Sequence, residues 1–301
     1  SCNRNSIRTK RMRRSLFLFA ITALLVSCQP EQVNYPNLFS EISVEDSGLD
    51  FLNQITETES INFYRHQYLY NGGGVGIGDI NNDGLSDVYL TSTQGNDKLF
   101  LNKGDFEFED ISSKAGIDNY IGVKTGVNFL DINQDGWIDI YVCRAGWSKN
   151  ESDRKNLLFI NQKDNSFIES ADRFGLADPN CSIQSTSFDY DGDGDLDLFV
   201  SNHPQIFNER MLDLLAKTEN PPDESTSHLY RNDGNDHFTD VTYEAGLESY
   251  TYGLGILSAD FNNDGWTDLY TTSDFAPRDH YYINQKDGTF TESLEEYFPH
   301  C

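Results

Sequence analysis

Residues 189–197 read Asp-Tyr-Asp-Gly-Asp-Gly-Asp-Leu-Asp. This nine-residue pattern, D-x-[DN]-x-D-G-x-x-D, begins again at Asp79, Asp131 and Asp260. One copy would be weak evidence, but four copies in phase with the same flanking segments indicate a structural repeat.

Oxygen-bearing side chains occupy positions 1, 3, 5 and 9 of each copy, a spacing that suits calcium. Calcium takes about six to eight hard oxygen ligands, and oxygens at alternate positions of a tight loop can converge on one centre. The glycine at position 6 permits the sharp turn. The predicted side-chain ligands of about four structural Ca2+ sites are Asp79, Asn81, Asp83 and Asp87; Asp131, Asn133, Asp135 and Asp139; Asp189, Asp191, Asp193 and Asp197; and Asp260, Asn262, Asp264 and Asp268. The predicted backbone-carbonyl ligands, at position 7, are Leu85, Trp137, Asp195 and Trp266.

Two other interpretations of the loops are weaker. A plain Asp-Gly turn needs only one or two polar residues, whereas these loops crowd at least four carboxylates or amides into nine positions, where like charges repel. An EF-hand requires an acidic residue at position 12, which is occupied here by Leu90, Val142, Val200 and Thr271. Each loop is also followed by a β-branched and aromatic run that is typical of a strand. A helical calcium sensor is therefore rejected.

A second element recurs between the loops. An Asn is followed six residues later by a Phe, and the segments around the pair predict a hairpin. A polar stretch ending in Gly-Ile or Gly-Leu follows, and residues 39–49 carry an extra copy of it. The Asn and Phe pairs are Asn102 and Phe108, Asn161 and Phe167, Asn232 and Phe238, and Asn284 and Phe290.

The length of the repeat favours propeller blades of four short strands, with a solenoid as the alternative. Successive loops begin 52, 58 and 71 residues apart, and nearly all of this variation lies between the loop and the Asn. The longest insert, around residues 208–217, has helical spacing, and inserts on one edge of a repeat array often form a binding face.

The glycine-rich run Gly72–Gly78 before the first loop predicts a strand near the propeller axis. This run, the segment Tyr252-Gly-Leu-Gly before the fourth loop, and the hairpins resemble FG-GAP/VCBS repeats, which form the calcium-binding propeller of integrin α-subunits. Residues 39–301 more closely resemble bacterial exported proteins of the ASPIC/UnbV and cartilage-acidic-protein type. The resemblance implies an all-β propeller of about seven blades, usually followed by a small C-terminal domain. Because the chain has four loops, we expect a partial propeller of about four to five blades, truncated at its C-terminus.

The N-terminus has the features of an export signal. Basic residues ending at Arg14 precede an apolar run, residues 16–26, that is too short to span a membrane. The tetrad Leu25-Val-Ser-Cys28 resembles the bacterial lipobox, which predicts lipidation of Cys28. The expected organisation is a lipoprotein signal peptide over 1–28, with Met12 as a candidate start, a linker over 29–38, and the partial propeller over 39–301. The predicted location is periplasmic, or at the outer membrane or cell surface.

Composition excludes one class of partner. The chain of 301 residues carries 49 acidic and 22 basic side chains, for a formal net charge of -27, and has no basic stripe after its N-terminus. Nucleic acid binding is therefore not expected, because phosphate backbones repel such a surface. The same charge disfavours a compact fold unless cations bind.

Cys143 and Cys181 lie beside predicted strands with no spacing that indicates a disulfide, so their pairing stays open.

No catalytic motif is found, and the six histidines lack ligand spacing. The predicted function is a calcium-binding, lipid-anchored propeller that binds a protein or glycan ligand at the cell surface. The alternative is a calcium-dependent hydrolase or lyase acting on polysaccharide or lipid. Trp137 and Trp266 could stack on sugar, although residues at such positions more often cover the blade edge.

Overall fold

A computed structural model describes residues 39–120, 122–146, 148, 150–204, 226–274 and 278–299. All sixteen strands of this described part belong to one unit spanning residues 43–301. The predicted signal peptide, Cys28, the linker and the insert around residues 208–217 lie outside the described residues. None of the helices in the described segments is long and apolar enough to cross a membrane.

The strands form four antiparallel sheets, and each sheet contains four strands that are consecutive in the chain. We number these sheets blades 1 to 4. Blade 1 comprises β1 (Val75–Gly78), β2 (Asp87–Leu90), β3 (Lys98–Asn102) and β4 (Phe108–Asp110). Blade 2 comprises β5 (Val123–Leu130), β6 (Asp139–Ala145), β7 (Leu157–Asn161) and β8 (Phe167–Glu169). Blade 3 comprises β9 (Cys181–Phe188), β10 (Asp197–His203), β11 (His228–Asn232) and β12 (Phe238–Asp240). Blade 4 comprises β13 (Gly253–Ala259), β14 (Asp268–Ser273), β15 (His280–Asn284) and β16 (Phe290–Glu292). The predicted all-β partial propeller is thus confirmed, with four complete blades.

The hydrophobic core is divided into layers that lie between successive blades. In β6, Ile140 and Val142 pack in the layer shared with blade 1, whereas Tyr141 and Cys143 pack in the layer shared with blade 3. This alternation follows from the two-residue period of a strand. Because a middle blade is covered on both faces, its second strand is buried along its whole length. The central part of β6, residues 140–143, is therefore a continuous apolar run rather than an alternating one.

The first strands of the blades converge on one another. Thr125 in β5 donates to the Ser182 carbonyl in β9 at 2.7 Å, and Thr186 in β9 lies 2.9 Å from Ser258 in β13. In β1, a Cβ atom added to Gly76 would lie only 2.7 Å from the Phe129 ring of β5. The prediction of a strand near the axis within Gly72–Gly78 is therefore confirmed, because close approach of the next blade requires glycine there.

Short helical turns lie before blade 1 and after blades 1, 2 and 4. They are α1 (Val44–Ser47), α2 (Ser112–Ala115), α3 (Ala171–Phe174) and α4 (Leu294–Tyr297). Gly175 ends α3 with a φ of +78° and lies against the Phe238 carbonyl of the following blade. Gly48 ends α1 and lies against the corresponding Phe108 carbonyl of blade 1. Residues 44–48 therefore form the same element as the later turns, which confirms the extra repeat copy predicted there.

A buried ion pair connects blades 1 and 2. Lys124 Nζ in β5 lies 3.5 Å from Asp97 Oδ1, and both side chains are 1% exposed. Asp97 also accepts hydrogen bonds from Tyr89 Oη at 2.9 Å and from the Ser92 N–H at 2.8 Å. Lys124 Nζ donates to the Gly95 carbonyl at 2.8 Å. Burial of two charges is tolerated when each has such additional partners.

The two described cysteines, Cys143 and Cys181, are free thiols buried in the core. Burial raises the pKa of Cys143 to about 12 and that of Cys181 to about 11. Because the thiolate is the reactive species, we expect neither cysteine to react with iodoacetamide at pH 8 in the folded protein, and both to react in urea. Peptide mapping by mass spectrometry after alkylation checks this. Labelling of either residue in the native state would contradict the burial described here.

Candidate metal centres

Each acidic loop joins the first strand of a blade to its second strand. The Asp at position 9 is the first residue of the second strand in all four blades, as shown by Asp87 in β2 and Asp197 in β10. These position-9 residues are almost fully buried, whereas the residues at position 5 are exposed. One end of each loop is therefore fixed in the sheet, and the other faces solvent.

The carboxylate at position 1 organises the turn. In loop 1, Asp79 Oδ2 accepts the Gly84 N–H at 2.7 Å, and the same bond occurs in the other loops at 2.9 to 3.0 Å. Gly84 has a φ of +86°, a backbone conformation that strains any residue with a Cβ atom. At position 5, Asp83 Oδ1 accepts the Leu85 N–H at 2.9 Å. The predicted ligand residues at positions 1 to 7 are thus brought together in one turn.

Loop 3 brings three of its carboxylates together. Asp189, Asp191 and Asp197 each place one carboxylate oxygen within 4.8 Å of the others. Asp193 and Asp195 add two more carboxylates to the same nine residues, so loop 3 has the most acidic composition of the four. The mutual repulsion of these groups is relieved when a divalent cation binds among them.

Position 9 is held from two directions. Asp197 Oδ2 accepts the Tyr190 N–H at 2.9 Å, and its Oδ1 accepts the Asn232 N–H at 2.8 Å. Burial, reinforced by the nearby carboxylates of Asp191 and Asp193, raises the pKa of Asp197 to about 7 despite these two bonds. Burial likewise raises the pKa of Asp139 to about 7. The negative charge at this position is therefore costly without a cation.

The donor set fits a calcium ion. Every predicted side-chain ligand is a carboxylate or an amide oxygen, the hard ligands that calcium prefers. In loop 4, Asn262 Oδ1 is buried and accepts no hydrogen bond from any described residue. In loops 1 and 2, by contrast, the equivalent Asn81 and Asn133 oxygens accept an N–H at 3.1 Å. A buried oxygen without a donor is costly, and a bound cation satisfies it.

Lysines distinguish the loops. Lys163 Nζ lies 3.3 Å from Asp135 in loop 2, and Lys286 Nζ lies 3.3 Å from Asp264 in loop 4. Both lysines come from the hairpin turns of the same blades. No ion pair with a described residue is found for the position-5 carboxylates of loops 1 and 3. Lysine competes with a cation for the carboxylate, so loops 1 and 3 are expected to bind more tightly than loops 2 and 4, and loop 3, which has the most carboxylates, is expected to bind most tightly.

Neighbouring loops are in contact. Asn82 Nδ2 of loop 1 donates to the Gly136 carbonyl of loop 2 at 3.0 Å, and Gln134 Nε2 of loop 2 donates to the Gly194 carbonyl of loop 3 at 3.1 Å. In loop 3 the equivalent position is Gly192, and the Trp266 ring of loop 4 packs against it. This contact agrees with the packing role predicted for Trp266. The loops therefore form a continuous chain along one end of the propeller.

The hairpin Asn has a role that the sequence analysis did not assign. In every blade its backbone N–H donates to the position-9 carboxylate, at 2.8 to 2.9 Å. Its side-chain Nδ2 donates to the carbonyl of position 8, and Asn161 also reaches the Ile80 carbonyl of loop 1 at 2.7 Å. The fixed occurrence of Asn in each repeat was the available signal, but it does not reveal the partner.

We expect Asn161→Ala to lower the free energy of unfolding by about 2 to 3 kcal/mol, because the buried Ile80 carbonyl and the partly buried Ile138 carbonyl lose their donor. Chemical denaturation measures this change. Asn102→Ala is the matched control, since Asn102 Nδ2 bonds a single carbonyl, that of Ser86, and the expected loss is about 1 kcal/mol. Equal losses in the two variants would show that the contact between loop 1 and Asn161 adds nothing.

Comparison with known proteins agrees with this architecture. A family model described as the FG-GAP-like repeat matches residues 79–142, 131–200 and 211–271, which together exceed half of the chain. Cartilage acidic protein 1 of Xenopus tropicalis is 31% identical over 138 residues, covering 44% of this chain and 20% of that protein. The Homo sapiens protein of the same name is 26% identical over 206 residues, covering 66% and 28%. The chain thus spans 20% to 28% of the length of these curated relatives.

Among solved structures, a lectin from Agrocybe aegerita that recognises non-reducing terminal N-acetylglucosamine is 15% identical to this chain. The alignment covers 72% of this chain and 50% of the lectin chain, with a TM-score of 0.38.

Proposed function

The chain belongs to the FG-GAP-like repeat family, and from this premise we propose that it is a calcium-binding, lipid-anchored propeller that binds a protein or glycan ligand outside the cytoplasm. The observation that carries the calcium part is the four-fold repetition of one loop with a buried position-9 carboxylate, together with the unpartnered oxygen of Asn262. Both features are costly in an ion-free loop and favourable in a calcium-bound one.

Calcium would neutralise the loops and supply no chemistry to a substrate. The ligands would be the residues at positions 1, 3, 5 and 9 and the carbonyl at position 7 of each loop. A full set of protein ligands is typical of a structural site, whereas a catalytic metal keeps an open position. With the loops ordered and in contact, the blades are held in fixed register, and the opposite end of the propeller remains available for a ligand.

The anchor part of the proposal rests on the basic residues, the short apolar run and the lipobox-like Leu25-Val-Ser-Cys28. When the natural precursor is expressed in a bacterial host fed with labelled palmitate, we expect the label to enter the protein and to be lost completely in Cys28→Ala. Cys143→Ala is the control that leaves labelling intact, because that thiol is buried in the core. Labelling that persists in Cys28→Ala would refute the anchor.

A hydrolase or lyase function predicts turnover, and a binding module does not. The decisive experiment incubates the calcium-loaded, full-length protein with polysaccharide and lipid panels and follows reducing ends, unsaturated products and free fatty acid. We expect no turnover. Turnover that is abolished in Asp193→Ala would replace the binding proposal with the enzymatic one.

A further inference from the structure

A cavity of about 510 Å³ lies at the end of the propeller opposite the acidic loops. Each acidic loop follows the C-terminal end of a first strand, whereas the cavity is lined by residues at the N-terminal ends of the first strands, such as Gly74, Val123 and Leu254, and by Gln184 in the N-terminal half of β9. The C-terminal end of β10, at His203, completes the wall. Its volume is within the range of small-molecule sites.

Among the described residues, the lining has no acidic side chain, lysine or arginine, in a chain that has 49 acidic side chains, and its two histidines are His66 and His203. Burial lowers the pKa of His203 to about 4, so its ring is neutral at physiological pH. An uncharged cavity cannot neutralise the charge of an ionic ligand, and it cannot compensate for the free energy of removing that charge from water. The lining therefore favours a neutral ligand.

Two amide side chains provide polar groups for that ligand. Within the described part of the chain, neither the Asn71 nor the Gln184 side chain has a hydrogen-bond partner, although both line the cavity. A primary amide both donates and accepts hydrogen bonds, as does a sugar hydroxyl. Thr93 adds a hydroxyl to the same lining.

One aromatic side chain gives the cavity a flat surface. The Tyr68 ring lies 5.2 Å from the His203 ring, and Tyr68 Oη donates to Asp274 Oδ2 at 3.1 Å. These contacts hold the ring in place before a ligand arrives. Leu254 contributes apolar surface from blade 4. Fixed aromatic and aliphatic surface beside amide groups is complementary to a pyranose, which has apolar C–H faces and hydroxyl edges.

We propose that this cavity binds a short, neutral oligosaccharide, with Asn71 and Gln184 bonding its hydroxyls and Tyr68 packing against a sugar ring. The inference deepens the proposed binding function and rests on it. A peptide ligand is less favoured, because an extended peptide recognised through its backbone adds to a sheet edge rather than filling a compact cavity.

The test titrates the calcium-loaded, full-length protein with maltotriose, cellotriose, N-acetylchitotriose and mannotriose by calorimetry. We expect at least one trisaccharide to bind with one site per chain. Gln184→Ala and Gln184→Met should each weaken that binding about tenfold, since each removes the hydrogen bonds of one amide. Gln184→Met keeps the length of the side chain. Gln162→Ala is the matched control, because Gln162 is an exposed amide on the β7–β8 hairpin, and it should bind like the unmodified protein.

Three outcomes would overturn the inference. The first is that no trisaccharide binds at about 10 mM, and the second is that both Gln184 variants bind sugar as tightly as the unmodified protein. The third is that uncharged tetrapeptides bind in a Gln184-dependent way and sugars do not. Calcium uptake by the same sample of unmodified protein separates this proposal from the calcium proposal. Normal calcium uptake without sugar binding would refute only the cavity, and sugar binding without calcium uptake would refute only the metal sites.

Discussion

Removal of calcium is expected to lower the melting temperature of the protein by roughly 20 to 40 °C. A site whose Kd is about 100-fold below the free calcium concentration stabilises the folded state by about 2.7 kcal/mol, so four such sites contribute roughly 11 kcal/mol. For a unit of this size, about 1 kcal/mol corresponds to roughly 2 to 4 °C. The like charges within each loop repel one another when the ion leaves, which adds to the loss.

Thermal unfolding followed by circular dichroism, in saturating calcium and in excess EGTA, measures this shift. Sodium chloride at matched ionic strength is the necessary control, because screening alone reduces repulsion in a chain with a net charge of -27. A shift that sodium reproduces would show that the loops respond to ionic strength and not to a specific cation.

Much of the fold follows from the sequence because the repeat makes each pattern visible four times. The Asn and Phe pairs predicted the third and fourth strands, and Asn161 does pair with Phe167 across the β7–β8 hairpin. The strands after the loops were also predicted, although the structure starts each one earlier, at the position-9 Asp. From the sequence alone, an Asp at this position is assigned to the loop. Its burial in a strand is explained by the two backbone N–H groups that donate hydrogen bonds to its carboxylate.

The residues of each candidate metal site were predicted from the sequence, but their contacts with other parts of the chain were not. Spacing along one loop indicates which oxygens can converge, because those groups are neighbours in the chain. It carries no information on partners about 20 to 80 residues away, which depend on the stacking of blades. For that reason the contacts of Gln134 with loop 3 and of Asn161 with the Ile80 carbonyl were not foreseen. The contact of Lys163 with Asp135 was not foreseen either, because it depends on how two turns of blade 2 lie beside each other. The uncharged cavity combines residues from separate blades and was likewise not visible in the sequence.

The second large effect concerns two aspartates of loop 3 that have different roles. We expect Asp197→Ala to lower the free energy of unfolding by about 2 to 5 kcal/mol in EGTA, because the Tyr190 and Asn232 N–H groups lose their buried acceptor. In calcium, the loss of the ion adds about 2 to 3 kcal/mol. Asp193→Ala is expected to cost only the calcium contribution, since Asp193 is exposed and accepts a single N–H within its own turn.

Urea denaturation of the three proteins with and without calcium provides these values. Asp195→Ala is the matched control for charge, because it removes one carboxylate from the same loop. The predicted ligand at Asp195 is its backbone carbonyl and not its side chain. Its expected effect is below about 1 kcal/mol in either condition. If Asp193→Ala were as damaging in EGTA as Asp197→Ala, the separation of an ion-binding position from a sheet-fixing position would be wrong.

The most direct test of the calcium proposal is a calorimetric titration of metal-free protein with calcium at physiological ionic strength. We expect saturable binding with a stoichiometry of about four ions per chain, falling by one in Asp193→Ala, with the tightest site lost in that variant. A titration that shows no saturable heat, accompanied by equilibrium dialysis that finds no retained calcium, would contradict the calcium proposal.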